Sequence, residues 1–281
     1  MTDAPLISTA QLAARIDDRD CLVVDCRFEL SDPRLGARQF AEGHLPHAVY
    51  ADLDTDLSDH AREGRGRHPL PGDAAFSALL SRWGVQPDTF IVCYDAGNGS
   101  MAARLWWMLL ACGHRRAAVL DGGLAAWLGE GRPVQTHDES RTATMVSVHF
   151  DPACFVDYPE LEQDRSASGV LLLDARAAPR FRGEVEPIDP VAGHVPGALN
   201  RPFAENLTAD GRFKEAAQLR AEFQALLGHR PASATAAMCG SGVTACHNLL
   251  AMHHAGLPGA RLFAPSWSGW ISDPQRPVET G

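Results

Sequence analysis

An internal repeat constrains this chain more than any other feature. Leu172-Leu173-Asp174-Ala175-Arg176 answers Val23-Val24-Asp25-Cys26-Arg27, and Gly193-His194-Val195-Pro196-Gly197-Ala198 answers Gly43-His44-Leu45-Pro46-His47-Ala48. Ala237-Met238-Cys239 answers Cys93-Tyr94-Asp95, and the apolar segment ending at Trp270 answers the one ending at Trp127. The offset holds near 145 to 150 residues throughout, the signature of a tandem duplication. Within the first copy, Cys21 to Val24, Val49-Tyr50, Phe90 to Tyr94 and Ala117 to Leu120 read as buried strands. Gln11 to Ile16 (capped by Ser8 or Thr9), Asp73 to Trp83, Ala102 to Cys112 and a stretch around Trp127 read as helices. This alternation implies an α/β fold in which each copy is a parallel sheet with helices on both faces. Residues 1–134 are expected to form a first domain, 135–145 a polar linker, and 146–281 a second domain.

The second copy carries the reactive pattern. Ala234 to Met238 reads as a parallel strand, and the helical pattern from Ala245 through Leu249, Leu250 and Met252 stops at Gly256. Between them lies Cys239-Gly240-Ser241-Gly242-Val243-Thr244. A turn of this kind aims the N–H groups of Gly240 to Thr244 at one point. Such a nest, backed by the positive end of a helix, holds anions and favours the thiolate form of a cysteine. The thiolate is the nucleophile. The competing reading is an inert cysteine buried at a strand end. In the first copy Asp95 stands at the cysteine position. A carboxylate cannot serve as a sulfur nucleophile, so only the second copy should react.

Composition removes several classes of function. The chain has 281 residues, 45% apolar and 21% charged, as an ordinary globular protein of two domains would. Its formal charge of −10 argues against nucleic acid or an anionic membrane as partner. No apolar run approaches membrane-spanning length, and the acidic start does not read as a signal peptide. Seven cysteines without framework spacing fit a reducing cytoplasm, and no CxxC or His-rich pair suggests zinc. No metal or other cofactor is expected. An anionic substrate must therefore be drawn by a local cationic site.

With these motifs in order, the whole chain resembles the two-domain rhodanese-type sulfurtransferases. The D-x-R after the first strand, the G-H-x-P-G-A turn, the cysteine loop and Trp267-Ser-Gly-Trp270 all match. The resemblance implies transfer of a sulfane sulfur through a Cys239 persulfide, with Asp95 marking the inactive copy. The loop CGSGVTA is similar to that of 3-mercaptopyruvate sulfurtransferases, whereas vertebrate-type thiosulfate enzymes carry two basic residues after the cysteine. Arg180 matches the family's anion-binding arginine, and a guanidinium suits a carboxylate or sulfonate. Arg182 is the alternative. Asp54, His68 and Ser241 match an Asp, a His and a Ser described as polarising the substrate; His68 otherwise reads as a surface loop histidine. Thr244 either bonds within the loop or simply caps the helix. His44 and His194 recur at one turn and read as structural. Arg176 reads as a structural partner of Asp174 or a loop carbonyl.

One position departs from the mercaptopyruvate pattern. A second arginine is expected nine residues after Arg180, and Asp189 stands there, as an acid does in thiosulfate enzymes. Asp189 is expected at the mouth of the site, repelling the donor. The donor is thus 3-mercaptopyruvate or thiosulfate, with the first slightly favoured, and the acceptor cyanide or a thiol such as thioredoxin. The chain is expected to be a monomer. Two rivals remain. A cysteine-dependent phosphatase needs an arginine six positions after the cysteine, where this chain has Ala245. A non-enzymatic sulfur carrier or regulatory module has no evident use for an intact loop together with Arg180.

Overall fold

The computed structural model describes residues 4–137, 141–163 and 169–281; the middle of the expected linker, 138–140, lies outside these. The chain forms two compact units that are not contiguous in sequence. The first takes in Met1–Asp59, Leu70–Asp151 and Ala209–Phe213; the second takes in His60–Pro69, Pro152–Thr208 and Lys214–Gly281. Segment 60–69 thus belongs to the unit of the second repeat, although it lies within the first repeat in sequence.

The first unit runs β1 (Leu6–Ile7), α1 (Thr9–Ala13), β2 (Cys21–Asp25), α2 (Leu35–Glu42), β3 (Ala48–Tyr50), α3 (Asp73–Arg82), β4 (Phe90–Tyr94), α4 (Ala102–Ala111), β5 (Ala117–Leu120) and α5 (Gly123–Gly129). Its sheet has the order β1-β5-β4-β2-β3, and every pairing is parallel. Strands β2, β4 and β5 are buried at every position. Both sheet faces are therefore covered, as continuous apolar runs require. Helix α1 starts two residues before the expected Gln11 and ends at Ala13 rather than Ile16, with Ser8, one of the two expected caps, as its N-cap. The Ser8 side chain accepts from the Gln11 N–H, and Gln11 Oε1 accepts from the Ser8 N–H, closing a capping box. Past the linker, the chain runs along α3. Thr144 donates its N–H to the Ser81 carbonyl, while the Ser81 and Ser77 hydroxyls accept from Val146 and Val148.

The second unit runs α6 (Tyr158–Gln163), β6 (Leu171–Asp174), α7 (Ala178–Phe181), β7 (Leu199–Asn200), α8 (Ala216–Leu227), β8 (Thr235–Met238), α9 (Ala245–His254), β9 (Arg261–Leu262) and α10 (Ser266–Trp270). Its order, β7-β6-β8-β9, repeats β3-β2-β4-β5, again wholly parallel. Each unit has its own core, around Leu45, Val92, Tyr94 and Trp127 in the first and around Met238, Phe263, Trp267 and Trp270 in the second. The duplication extends to single hydrogen bonds. Trp127 Nε1 donates to the Pro133 carbonyl at 2.7 Å and Trp270 Nε1 to the Pro277 carbonyl at 2.9 Å. Arg27 is held by Asp25 and the Gly43 carbonyl, and Arg176 by Asp174 and the Gly193 carbonyl. His44 and His194 each stack on a phenylalanine and bond that residue's carbonyl through Nδ1, Phe40 at 2.7 Å and Phe181 at 2.8 Å. These histidines fix the G-H-x-P turn. Among the described residues, no helix is long and apolar enough to cross a membrane.

Candidate active site

Strand β8 ends at Met238 and delivers Cys239 to the carboxyl end of the parallel sheet, where α/β folds place their ligands. The loop from Cys239 is pinned to α10 by three hydrogen bonds. The Cys239 N–H donates to Ser266 Oγ at 3.1 Å, and the carbonyls of Cys239 and Gly240 accept from the N–H groups of Trp267 and Ser268. Gly242 has φ +80°, and a side chain there would run into the Ala264 carbonyl. Only glycine fits. That turn points the Gly242 N–H back at Cys239 Sγ, 3.1 Å away. Sγ is thus a hydrogen-bond acceptor at the head of α9, in a residue only 2% exposed. Thr244 stands at the N-cap but makes no side-chain capping bond.

His68 and Ser241 are brought together. His68 Nδ1 lies 2.8 Å from Ser241 Oγ, and both residues are buried. The contact exists because segment 60–69 seats on α10. Gly66, at φ +87°, packs against the Pro265 carbonyl with no room for a Cβ, the Arg67 N–H donates to Ser268 Oγ at 3.0 Å, and the Tyr158 hydroxyl donates to the Gly64 carbonyl at 2.7 Å. The surface-loop reading of His68 does not hold.

Arg180, in the last turn of α7, is clamped by acids. Its Nε donates to both oxygens of Glu186 at 3.1 Å, and its Nη2 to Glu186 Oε1 at 2.7 Å and Asp189 Oδ2 at 3.1 Å. Burial pushes the Glu186 carboxyl up. The Arg180 guanidinium and the N–H groups of Asp189 and Ile188 more than offset this and hold it below the usual carboxylate range. Asp189 does not stand as a lone repulsive charge. Its side chain is 2% exposed and bridges two arginines, accepting from Arg67 Nη1 at 2.7 Å through its other oxygen. Arg182 pairs instead with Glu184 in an exposed ion pair. Asp54 lies in the first unit, where its N–H donates to Asp52 Oδ1 at 2.9 Å. A buried thiol under an N–H donor, a serine–histidine pair and fixed guanidiniums suit attack on an anionic sulfur compound.

The rhodanese-like domain family matches residues 8–130 and 157–273. The chain belongs to this family. A relative from Pseudomonas aeruginosa, named as a 3-mercaptopyruvate sulfurtransferase, is 50% identical over the full length of both chains. Another, from Mycobacterium tuberculosis and named as a thiosulfate sulfurtransferase, is 42% identical over 98% of this chain and 97% of its own. The crystal structure of SseA from Escherichia coli, described as showing the rhodanese fold of 3-mercaptopyruvate sulfotransferases, superposes with a TM-score of 0.83. It is 31% identical, covering 95% of this chain and all of that one.

In this chain the first repeat shows why a cysteine is absent there. Asp95 Oδ1 accepts from the N–H groups of Gly97 and Gly99, and Oδ2 from those of Met101 and Ala102. The nest that would receive a substrate anion is filled by the chain's own carboxylate.

Three residues of the site are absent from the sequence reading: Arg67, Glu186 and Ser266. Glu186 could have been suspected as an acid six residues from Arg180. The other two depend on tertiary placement. Ser266 is fully buried with φ +55°, an uncommon conformation for a non-glycine residue. Its hydroxyl donates to the Phe263 carbonyl while accepting from Cys239. Ser266→Ala leaves the buried Cys239 N–H unpaired, and we expect it to lower the free energy of unfolding by about 1–3 kcal/mol. Chemical denaturation checks this; an unchanged midpoint would show that the bond is energetically idle.

Proposed function

We propose that the enzyme moves the sulfur of 3-mercaptopyruvate to a thiophilic acceptor by way of a persulfide on Cys239. The observation that carries the reading is the buried Cys239 thiol with the Gly242 N–H aimed at its sulfur, flanked by the Ser241–His68 pair. The Cys239 thiolate attacks the donor sulfur, the carbon–sulfur bond breaks, and its electron pair passes to the donor carbon as the enolate of pyruvate. The Ser241 hydroxyl, oriented by His68, is the donor for the keto oxygen on which that charge develops. The proton of the donor thiol returns to carbon, giving pyruvate. The outer persulfide sulfur then passes to cyanide as thiocyanate or to a thiolate as a new persulfide, regenerating the Cys239 thiolate. Thioredoxin is a fitting thiol acceptor, and the cysteine spacing favours a reducing cytoplasm.

Thiosulfate is the second reading, favoured by the acid at position 189 and by any site that holds a small dianion. The two donors separate at the Ser241–His68 pair, because thiosulfate has no keto group to polarise. We expect Ser241→Ala and His68→Gln each to lower kcat with 3-mercaptopyruvate about 100-fold while changing kcat with thiosulfate about threefold or less. Steady-state kinetics with both donors, side by side, is the test. Equal losses with the two donors would remove the pair from carbonyl polarisation.

A further inference from the structure

Beside the nucleophile, two guanidinium groups converge on Gly240. A Cβ on Gly240 would lie 3.3 Å from Arg67 Nη2 and 3.7 Å from Arg180 Nη1 and Nη2. Arg67 comes from segment 60–69 and Arg180 from α7, so unrelated parts of the second unit place them together. Asp189 ties them into one assembly, with Oδ1 on Arg67 Nη1 and Oδ2 on Arg180 Nη2. Glu186 occupies Nε of Arg180, while the buried Nε of Arg67 has no hydrogen-bond partner. Nη2 of Arg67 and Nη1 of Arg180 likewise donate to no group among the described residues. Two arginines are balanced by two acids, so the assembly is held rigidly while free donors face Gly240.

We infer that Arg67 is a specificity-determining residue of the donor site, straddling the carboxylate of an α-keto acid together with Arg180. The inference rests on the 3-mercaptopyruvate reading and adds the residue that recognises the end of the donor remote from sulfur. Two guanidiniums match the two oxygens of a planar carboxylate. In 3-mercaptopyruvate that carboxylate lies two carbons beyond the one bearing sulfur. In thiosulfate the anionic oxygens sit on the atom bonded directly to the transferred sulfur. Arg67 should therefore matter more to the longer donor. Asp189 is a positioning residue that acts through both arginines.

Arg67→Met keeps the side-chain stem and removes the charge. We expect KM for 3-mercaptopyruvate to rise about 30-fold with kcat within about threefold, and the rise with thiosulfate to be at least fivefold smaller. Pyruvate binding, measured by calorimetry without turnover, should weaken at least about tenfold, or about 1.4 kcal/mol. Arg67→Lys should recover part of that affinity. Unchanged KM and pyruvate affinity overturn the assignment, and so does an equal fall of kcat with both donors, which marks a merely structural role. Should the methionine variant not fold, the wild-type enzyme decides. Pyruvate is expected to protect Arg67 from a dicarbonyl arginine reagent, read by peptide mass spectrometry, and no protection overturns the assignment. A wild-type enzyme active with thiosulfate but inert to 3-mercaptopyruvate overturns the donor reading itself. Arg67 protection is read without turnover and stands apart from that result.

Discussion

Cys239→Ser is expected to transfer no sulfur from either donor, a loss of at least about 10^4-fold in kcat/KM, or roughly 5.5 kcal/mol in barrier. A serine hydroxyl cannot carry the outer sulfur, so no intermediate forms. Cys246→Ser should stay within about threefold of the parent, since Cys246 is fully buried on α9 and its thiol donates to the Gly242 carbonyl at 3.4 Å. A serine can make the same contact. Cys21 and Cys26 are held as thiols. Burial pushes Cys21 up to about 11, and burial together with the neighbouring Cys93 pushes Cys26 up as well. Activity retained by Cys239→Ser, or lost in Cys246→Ser with the fold intact, would show the wrong thiol has been assigned.

Arg180→Ala is expected to lower kcat/KM about 100-fold with both donors, close to 2.7 kcal/mol, mainly through KM. Both donors are anions, and Arg180 Nη1 points toward Gly240 without a protein partner among the described residues. The variant should also be less stable. Removing the guanidinium strips Glu186, whose side chain is 4% exposed, of its main cationic contact and leaves Asp189 with Arg67 alone. Glu186 keeps its contact with Arg176 Nη1 at 3.5 Å, so the lost hydrogen bonds are expected to cost about 1–3 kcal/mol rather than the full cost of an isolated buried charge. Arg180→Lys should recover part of the binding but little of the two-pronged grip on Glu186. Kinetics together with a denaturation curve checks both claims. An Arg180→Ala enzyme with normal KM and normal stability would contradict the clamp.

Elements whose cause is local were legible in the sequence. The apolar runs Phe90 to Tyr94 and Ala117 to Leu120 appear as strands with those bounds, because nothing but burial in a parallel sheet suits them. Ser8 marks the N-cap of α1, though not the bounds of the helix, and the glycine turn after Cys239 marks the loop. The repeat gave the order of the second sheet from the first. Features set by distant contacts were not legible. Strand β1 is two residues long and exists only through its pairing with β5. Segment 60–69 lies in the first repeat by sequence but packs on α10 of the second. Arg67 is therefore hidden among other loop arginines, although the resemblance singles out His68, the next residue of the same strap. In sequence Asp189 reads as a free repulsive charge, because one chain position cannot show that two arginines enclose it.

The central claim is that Cys239 itself carries the sulfur between donor and acceptor. The direct measurement is intact and peptide mass spectrometry of enzyme treated with 3-mercaptopyruvate in the absence of any acceptor. The expected result is a single added sulfur, located on the peptide containing Cys239 and discharged by cyanide with release of thiocyanate. Sulfur on Cys246 or Cys26, or full turnover with no sulfur retained on the protein, would contradict it.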